Sequence, residues 1–345
     1  MKRIIWQAVV CMIILASCGQ KEKGFELIEQ PLEKRVDVFY DGRLFTSYSY
    51  PETMEKPILY PIYNAHGIDL TRGFPANPQP GERVDHPHHL GLWFNYGDVN
   101  GLDFWNNSYD IPEAKKPRYG SIFHKSITEI TNGPKQATLT VQSDWNDPTG
   151  KTLLKAETRY VFGAEKETRT IEHIITLTAQ ADTVIFSDSK EGLLGIRMDR
   201  AFEEVSDAPV LRIGEDKQPM EERTVNNDGV NGLYRNSLGD EKESGAWGKR
   251  AGWASVSAEK EGDKTTVAIL DHKENPGYPA HWHTRGYGLF AVNNLGSKSF
   301  HAENPAASLT LLPGESVTFR HKILIKAGTY AEDQEINIVF EEFNR

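Results

Sequence analysis

Cysteine is almost missing from this chain: there are two in 345 residues, Cys11 and Cys18, both near the N-terminus. A disulfide framework, a thiolate metal site and a cysteine nucleophile are therefore excluded from the body of the protein. Long apolar runs are equally scarce beyond the first two dozen residues, so no helical membrane span is expected there. There is no basic stripe. Lys and Arg number 39 against 49 Asp and Glu, and the net charge of −10 is spread along the chain, which argues against nucleic acid as a partner. Several motifs are also lacking: Gly-x-Gly-x-x-Gly after a strand, a phosphate loop, a Gly-x-Ser-x-Gly elbow and a His-Glu-x-x-His helix. Their absence disfavours nicotinamide redox chemistry, phosphoryl transfer and ordinary serine hydrolysis.

The N-terminus carries an address. Lys2 and Arg3 precede the apolar stretch Ile4 to Ala16, which closes in Leu15-Ala16-Ser17-Cys18-Gly19. This is similar to the bacterial lipoprotein signal. The resemblance implies removal of residues 1–17, lipidation of Cys18 and anchoring in the cell envelope, at the outer membrane or periplasm. Residues 18–34 are polar and charged and read as a tether, and residues 35–345 as one domain. Membrane contact is expected only through the lipid on Cys18.

The body is dominated by a period of two. Ala137, Leu139, Val141 and Trp145 alternate with Thr138, Thr140 and Asp144, and Ile171, His173, Ile175 and Leu177 with Thr170, Glu172 and Thr176. Val317, Phe319, His321, Ile323 and Ile325 repeat the pattern. Many short, turn-bounded strands predict an all-β fold, a large antiparallel sandwich of supersandwich type. One short C-terminal helix is expected, because Ile336, Val339, Phe340 and Phe343 share a stripe after an acidic first turn. We expect it on the sandwich edge. The polar stretch from Glu203 to Gly252 reads as a long loop.

Two segments are rich in histidine. The first is Asp85-His86-Pro87-His88-His89-Leu90-Gly91-Leu92-Trp93, where Pro87 demands an edge or a loop. The second runs from Asp271-His272 through His281-Trp282-His283-Thr284-Arg285-Gly286-Tyr287-Gly288-Leu289-Phe290. Residues two apart share a face in extended chain, so each His-x-His pair can aim two imidazoles at one point. Three roles are open. His86, His88, His281 and His283 offer a divalent-metal ligand set, although no cofactor is required by the sequence. His88, His89, His281 and His283 can move a proton near neutral pH or orient hydroxyls. The plain alternative is that they fasten loops.

Carboxylates and aromatics accompany them. Asp98, Asn100 and Asp103 stand between Trp93 and Trp105, and Trp282 lies between two histidines. Aromatic faces with nearby carboxylates and amides suit a pyranose, so a carbohydrate is the expected ligand. Asp271 can fix a tautomer of His272 or cap a turn, and Arg285 can grip a carboxylate or an oxyanion. His66, His124 and His321 read as structural.

His86-Pro87-His88-His89-x-Gly91-Leu92-Trp93-Phe94, followed by Gly97-Asp98-Val99-Asn100-Gly101-x-Asp103-Phe104-Trp105, resembles a bacterial family labelled "methane oxygenase PmoA". Lys190-Glu191-Gly192 with Gly195-Ile196-Arg197, Ala246-Trp247-Gly248-Lys249-Arg250, and Trp282-His283-x-Arg285-x-Tyr287-Gly288 agree with it. Leu90 stands where the family pattern has Arg, and Lys273 where it has Pro. The resemblance covers most of the body and implies lipoproteins and secreted proteins of glycan-degrading bacteria, with no secure activity. The label does not suit a body without apolar spans. The pattern is also similar to galactose-mutarotase-like supersandwiches.

The reading is an envelope lipoprotein that cleaves or isomerises a carbohydrate by acid–base chemistry. One of the histidines would work with Asp98, Asp103, Glu191 or Asp271. Trp93, Asn100, Trp105, Lys190, Arg197, His272, Trp282 and Arg285 would bind the substrate. The alternatives are a non-catalytic glycan binder, with its tryptophans on an open platform, and a metal-dependent enzyme. The reading requires both histidine segments to line one hollow. It further expects His88 and His283 to sit on accessible, irregular chain.

Overall fold

The computed structural model describes residues 24–221 and 224–345. Two eight-stranded antiparallel sheets pack face to face. The first runs, in spatial order, Phe25–Gln30, Arg35–Tyr40, Arg43–Ser49, Ile58–Ile62, Leu92–Tyr96, Gly192–Arg197, Leu289–Asn293 and His281–Arg285. The second runs Leu233–Asn236, Trp253–Lys260, Asp263–Asp271, Ser316–Lys326, Thr168–Ala179, Thr152–Glu165, Gln136–Asn146 and Ser121–Thr131.

The alternation explains the packing. In Thr168–Ala179 every second residue from Arg169 to Ala179 is buried, and Ile171, Ile175 and Leu177 join Leu139, Phe162, Phe319 and Ile323 in the core between the sheets. The first sheet differs. Leu92–Tyr96, Gly192–Arg197 and Leu289–Asn293 are buried at every position. A strand buried on both faces reads as a continuous apolar run, and its outer face must therefore be covered by something other than the second sheet. That outer cover is where the histidine loop lies.

Three expectations change. Part of the stretch expected as a tether is structured: Phe25–Gln30 pairs antiparallel with Arg35–Tyr40, because Phe25 and Leu27 alternate into the core. The segment Glu203 to Gly252 is not a long loop. It contains the ribbon Leu211–Ile213 with Pro219–Glu221, the strand Leu233–Asn236 and the helix Lys242–Ala246. These elements are three to five residues long, too short for periodicity to show. The C-terminal helix Asp333–Phe343 has a capping box between Glu332 and Glu335. It lies on the outer face of the second sheet rather than its edge, with Ile336, Val339, Phe340 and Phe343 against Trp253, Leu270 and Leu324. The Trp253 indole N–H donates to Asn337 Oδ1 at 2.8 Å.

The lipoprotein signal and Cys18 lie outside the described residues. Among the described residues no helix is long and apolar enough to cross a membrane.

Candidate functional site

The four strands at one end of the first sheet set the floor. Trp93 is paired with Gly195, Gly195 with Ala291, and Ala291 with His283, so these four residues form one row across the sheet. Gly195 and Ala291, between an indole and an imidazole, leave space that the rings of Trp93 and Trp105 fill. The glycine is required there: a Cβ on Gly195 would stand 2.8 Å from Trp93 and 3.0 Å from Trp105. The two indoles lean on each other at 5.2 Å, and His89 stacks on Trp93 at 5.1 Å. Trp93, Trp105 and His89 are each at most 1% exposed and form the bottom of the site.

The histidine loop is held over this floor by Arg72. Its guanidinium donates to the carbonyls of Arg83, Asp85, His86 and His89 and to Asp85 Oδ1 at 2.6 Å. Arg197 donates to the same Asp85 Oδ1 at 2.7 Å. Burial alone would raise the Asp85 pKa. The His86 hydrogen bond and the charges of Arg197 and Arg72 outweigh it and hold the carboxyl well below its usual range. Two guanidiniums, at 0% and 1% side-chain exposure, thus depend on one carboxylate. Asp85→Asn should cost about 3 kcal/mol, the lower end for breaking a buried ion pair because Asp85 is 28% exposed. That corresponds to a fall of roughly 5 °C in melting temperature, and an unchanged melting curve would contradict this role.

A rim of polar groups encircles the bottom, and it joins the two histidine segments. His86 stacks on Tyr287 at 5.0 Å. Arg197 and Arg285 stand over the same Tyr287 ring at 4.8 and 5.6 Å. His283 Nδ1 is 3.8 Å from Glu191 Oε2, beyond hydrogen-bond reach but well inside the range of its charge. Glu191 is paired with Lys190; burial raises the pKa of Asp103, and the charge of Glu191 adds to that rise. Lys56 completes the rim. It donates to the His88 carbonyl at 2.7 Å, lies 5.5 Å from the Trp93 ring centroid and feels the charges of Glu55 and Asp103. Glu191, Lys190, Arg285 and His86 keep 21%, 45%, 36% and 40% of their side chains exposed, so the rim is reachable from solvent.

The electrostatics follow from burial. His88 is pushed down to about 2 by desolvation and then by Lys56, His86, Arg72 and Arg197. Desolvation carries His89 well below its ordinary value and His283 to about 4. All three are neutral imidazoles near pH 7. Arg197 can only donate, so its 3.4 Å contact with His89 Nδ1 assigns the His89 proton to Nε2. Burial lowers Lys56 to about 7, even with Glu55 and Asp103 raising it. Five of the nineteen buried side-chain atoms without a hydrogen-bond partner among the described residues are ring nitrogens at this site: His88 Nε2, His89 Nε2, Trp93 Nε1, Trp105 Nε1 and His283 Nδ1. Buried polar groups are normally paired, and each orphan costs about 1–3 kcal/mol.

Several expected residues lie elsewhere. His281 stacks on Phe300 at 5.1 Å and lies 6.1 Å from His301, with Phe300 between it and His283, which meets the same ring edge-on. Trp282 points to the opposite face of its strand, as parity requires, and is sealed in the core with its N–H on the Ala251 carbonyl. Asp98 and Asn100 shape the turn after Leu92–Tyr96: Asp98 accepts from Gly101 N, and Asn100 bonds Ile185 N and the Thr183 carbonyl. Asp271 ends a strand of the second sheet, where Asn275, Asn294 and the Ala280 amide satisfy it. His272 meets Phe343 edge-on. His283 is not on accessible, irregular chain but within a strand at 2% exposure. Among the described residues no group of three or more His, Cys, Asp or Glu side chains could hold a metal ion. His86 and His88 belong to the loop, His281 faces Phe300, and the four therefore do not form a ligand set.

Lys56, Arg72, Asp85 and Tyr287 carry as much of this geometry as the expected residues do. The two histidine motifs already contain Asp85 and Tyr287. Nothing in the sequence around Lys56 or Arg72 signals that these cations are buried.

The model of a family described as "Family of unknown function (DUF6807)" matches residues 35–341, and the chain belongs to that family. No curated protein matches the sequence. Among solved structures, the fold resembles the galactosidase domain of the alpha-galactosidase-sucrose kinase AgaSK, at 10% identity and TM-score 0.40 over 88% of this chain and 41% of that one. It also resembles the GH36 alpha-galactosidase AgaA from Geobacillus stearothermophilus, at 13% identity and TM-score 0.36 over 88% and 40%. A third likeness is to a galactose mutarotase-like protein from Clostridium acetobutylicum, at 11% identity and TM-score 0.34 over 89% and 99%. The chain thus spans about two fifths of the two galactosidases.

Proposed function

We propose that this member of the DUF6807 family binds a carbohydrate on the outer face of the first sheet and transfers a proton on it. One observation carries the reading: a solvent-reachable polar rim surrounds an aromatic bottom whose ring nitrogens lack partners. A pyranose has an apolar face for the indoles and imidazoles, and hydroxyls for the orphaned Nε1, Nε2 and Nδ1 atoms. The donor-only indoles and His89 Nε2 would meet sugar oxygens, and the neutral His283 would stand between a hydroxyl and Glu191.

For the chemistry, a proton donor or acceptor works best with a pKa near the working pH. Lys56, at about 7, is the rim group that meets this condition. Glu191, steadied by Lys190, supplies the carboxylate. Proton exchange at a sugar carbon or at a ring or glycosidic oxygen needs such a pair and no cofactor.

A purely binding protein with tryptophans on an open platform is disfavoured by the burial of Trp93 and Trp105. Anchoring in the cell envelope remains part of the proposal and is supported by Leu15-Ala16-Ser17-Cys18-Gly19. A crystal structure with a bound saccharide tests the site.

A further inference from the structure

A cavity of about 310 Å³ lies beside the site, on the far side of the histidine loop. Met54, Ile58, Pro75 and Leu90 line it, and Lys56 and His88 form the wall it shares with the carbohydrate site. We propose that this cavity takes an apolar substituent of the saccharide, an aryl or short acyl group attached through oxygen. The inference rests on the carbohydrate reading above and names its substrate class: substituted glycosides rather than plain oligosaccharides.

The lining decides between occupants. A second sugar would bring hydroxyls against Met54, Ile58, Pro75 and Leu90. The polar lining is largely engaged already, since Glu55 accepts from Asn107 and Ser121 and Ser108 donates to Asp110, so several hydroxyls would go unpaired at a cost of kilocalories each. An aromatic ring or short acyl chain brings only apolar surface, and the volume lies at the lower end for ligand sites. The junction fits as well. Lys56 spends one N–H on the His88 carbonyl and rests over the Trp93 face. Its remaining N–H groups stand at the boundary between the apolar cavity and the polar rim, where the linking oxygen of a glycoside or ester would lie. In a glycoside, the Lys56 ammonium can give a proton to that oxygen as its bond to the anomeric carbon breaks and the substituent leaves as the alcohol, while water adds to the carbon and yields its proton to Glu191.

The test compares matched methyl and 4-nitrophenyl pyranosides of glucose, galactose, mannose and xylose by calorimetry on the full chain. It uses wild type and Ala76→Phe, which narrows the cavity from an exposed position at its mouth. The 4-nitrophenyl glycoside should bind tighter than the methyl glycoside of the same sugar by roughly tenfold, the factor gained by burying one apolar ring. Ala76→Phe should remove that factor and leave methyl glycoside binding unchanged. Equal wild-type affinities, or a preference that survives Ala76→Phe, overturn the cavity assignment and leave the carbohydrate reading standing. No binding of any glycoside overturns both.

Discussion

Glu191→Gln should lower turnover of the bound saccharide by about 10²–10⁴-fold, the usual worth of one positioned acid or base. The loss should fall on kcat. Gln keeps the size and hydrogen-bonding capacity of Glu, so the sugar still docks, but it can neither take up a proton nor pair with Lys190. Folding should be nearly untouched, because Glu191 stands just before the strand Gly192–Arg197 with 21% of its side chain exposed. His283 gives no such clean test. It is sealed at the end of the row Trp93–Gly195–Ala291–His283, so its removal would disturb the floor and the chemistry together. Steady-state kinetics with a thermal melt on the same sample checks this. A loss of less than tenfold in kcat would remove Glu191 from the proton transfer.

The fold itself should fail in mild acid, at about pH 5. Five histidines, His88 partly buried and the other four fully so, have pKa values held down chiefly by desolvation: His88 at about 2, His173 at about 3, His283 at about 4, and His89 and His321 well below the ordinary value. The unfolded chain takes up these protons as pH falls through about 6.5, whereas the native protein refuses them until much lower pH. Stability from these groups is therefore complete above pH 6.5 and is lost as pH falls below it. At about 1.4 kcal/mol per proton and pH unit, five such groups give a slope of about 7 kcal/mol per unit, against a total stability of about 5–15 kcal/mol. Asp271 works in the opposite direction. Burial raises it to about 6, so the native state gains its proton first and is stabilised as pH falls. Asp69, Glu82, Asp103, Glu203 and Glu204, which burial also raises, act with Asp271 and offset part of the loss from the imidazoles. Asp85, held well below the usual carboxylate range, adds to that loss. Circular dichroism and thermal melts from pH 8 to pH 4 should show a steep loss below pH 6, and an intact fold at pH 4 would contradict the neutral, buried histidines.

Much of the sandwich was legible because its strands alternate over seven or more residues, as in Gln136–Asn146 and Ser316–Lys326. Where strands are buried on both faces the signal disappears. Leu92–Tyr96 and Gly192–Arg197 carry no alternation that distinguishes the core face from the site face. The same blindness misplaced Trp282, which looked like a neighbour of two site histidines but lies on the opposite face of its strand. Asp271 and His272 looked like an acid–imidazole pair, but they finish a strand of the other sheet. Lys56 was hidden for another reason. A lysine between Glu55 and Pro57 reads as a solvated flank, and only the fold brings the Trp93 ring and the His88 carbonyl against it. Local pattern reveals which residues share a strand face. It does not reveal which charge the tertiary structure strips of water.

The most direct test of the carbohydrate site is the crystal structure of the protein with a bound glycoside. The account predicts a sugar ring seated against the Trp93–Trp105–His89 bottom, with its oxygens within hydrogen-bond distance of His88 Nε2, His89 Nε2 and His283 Nδ1 and with Glu191 at a hydroxyl. A sugar lodged instead in the polar groove of the second sheet, beside Lys125, Asp144 and Lys155, with the five ring nitrogens still without partners, would contradict it.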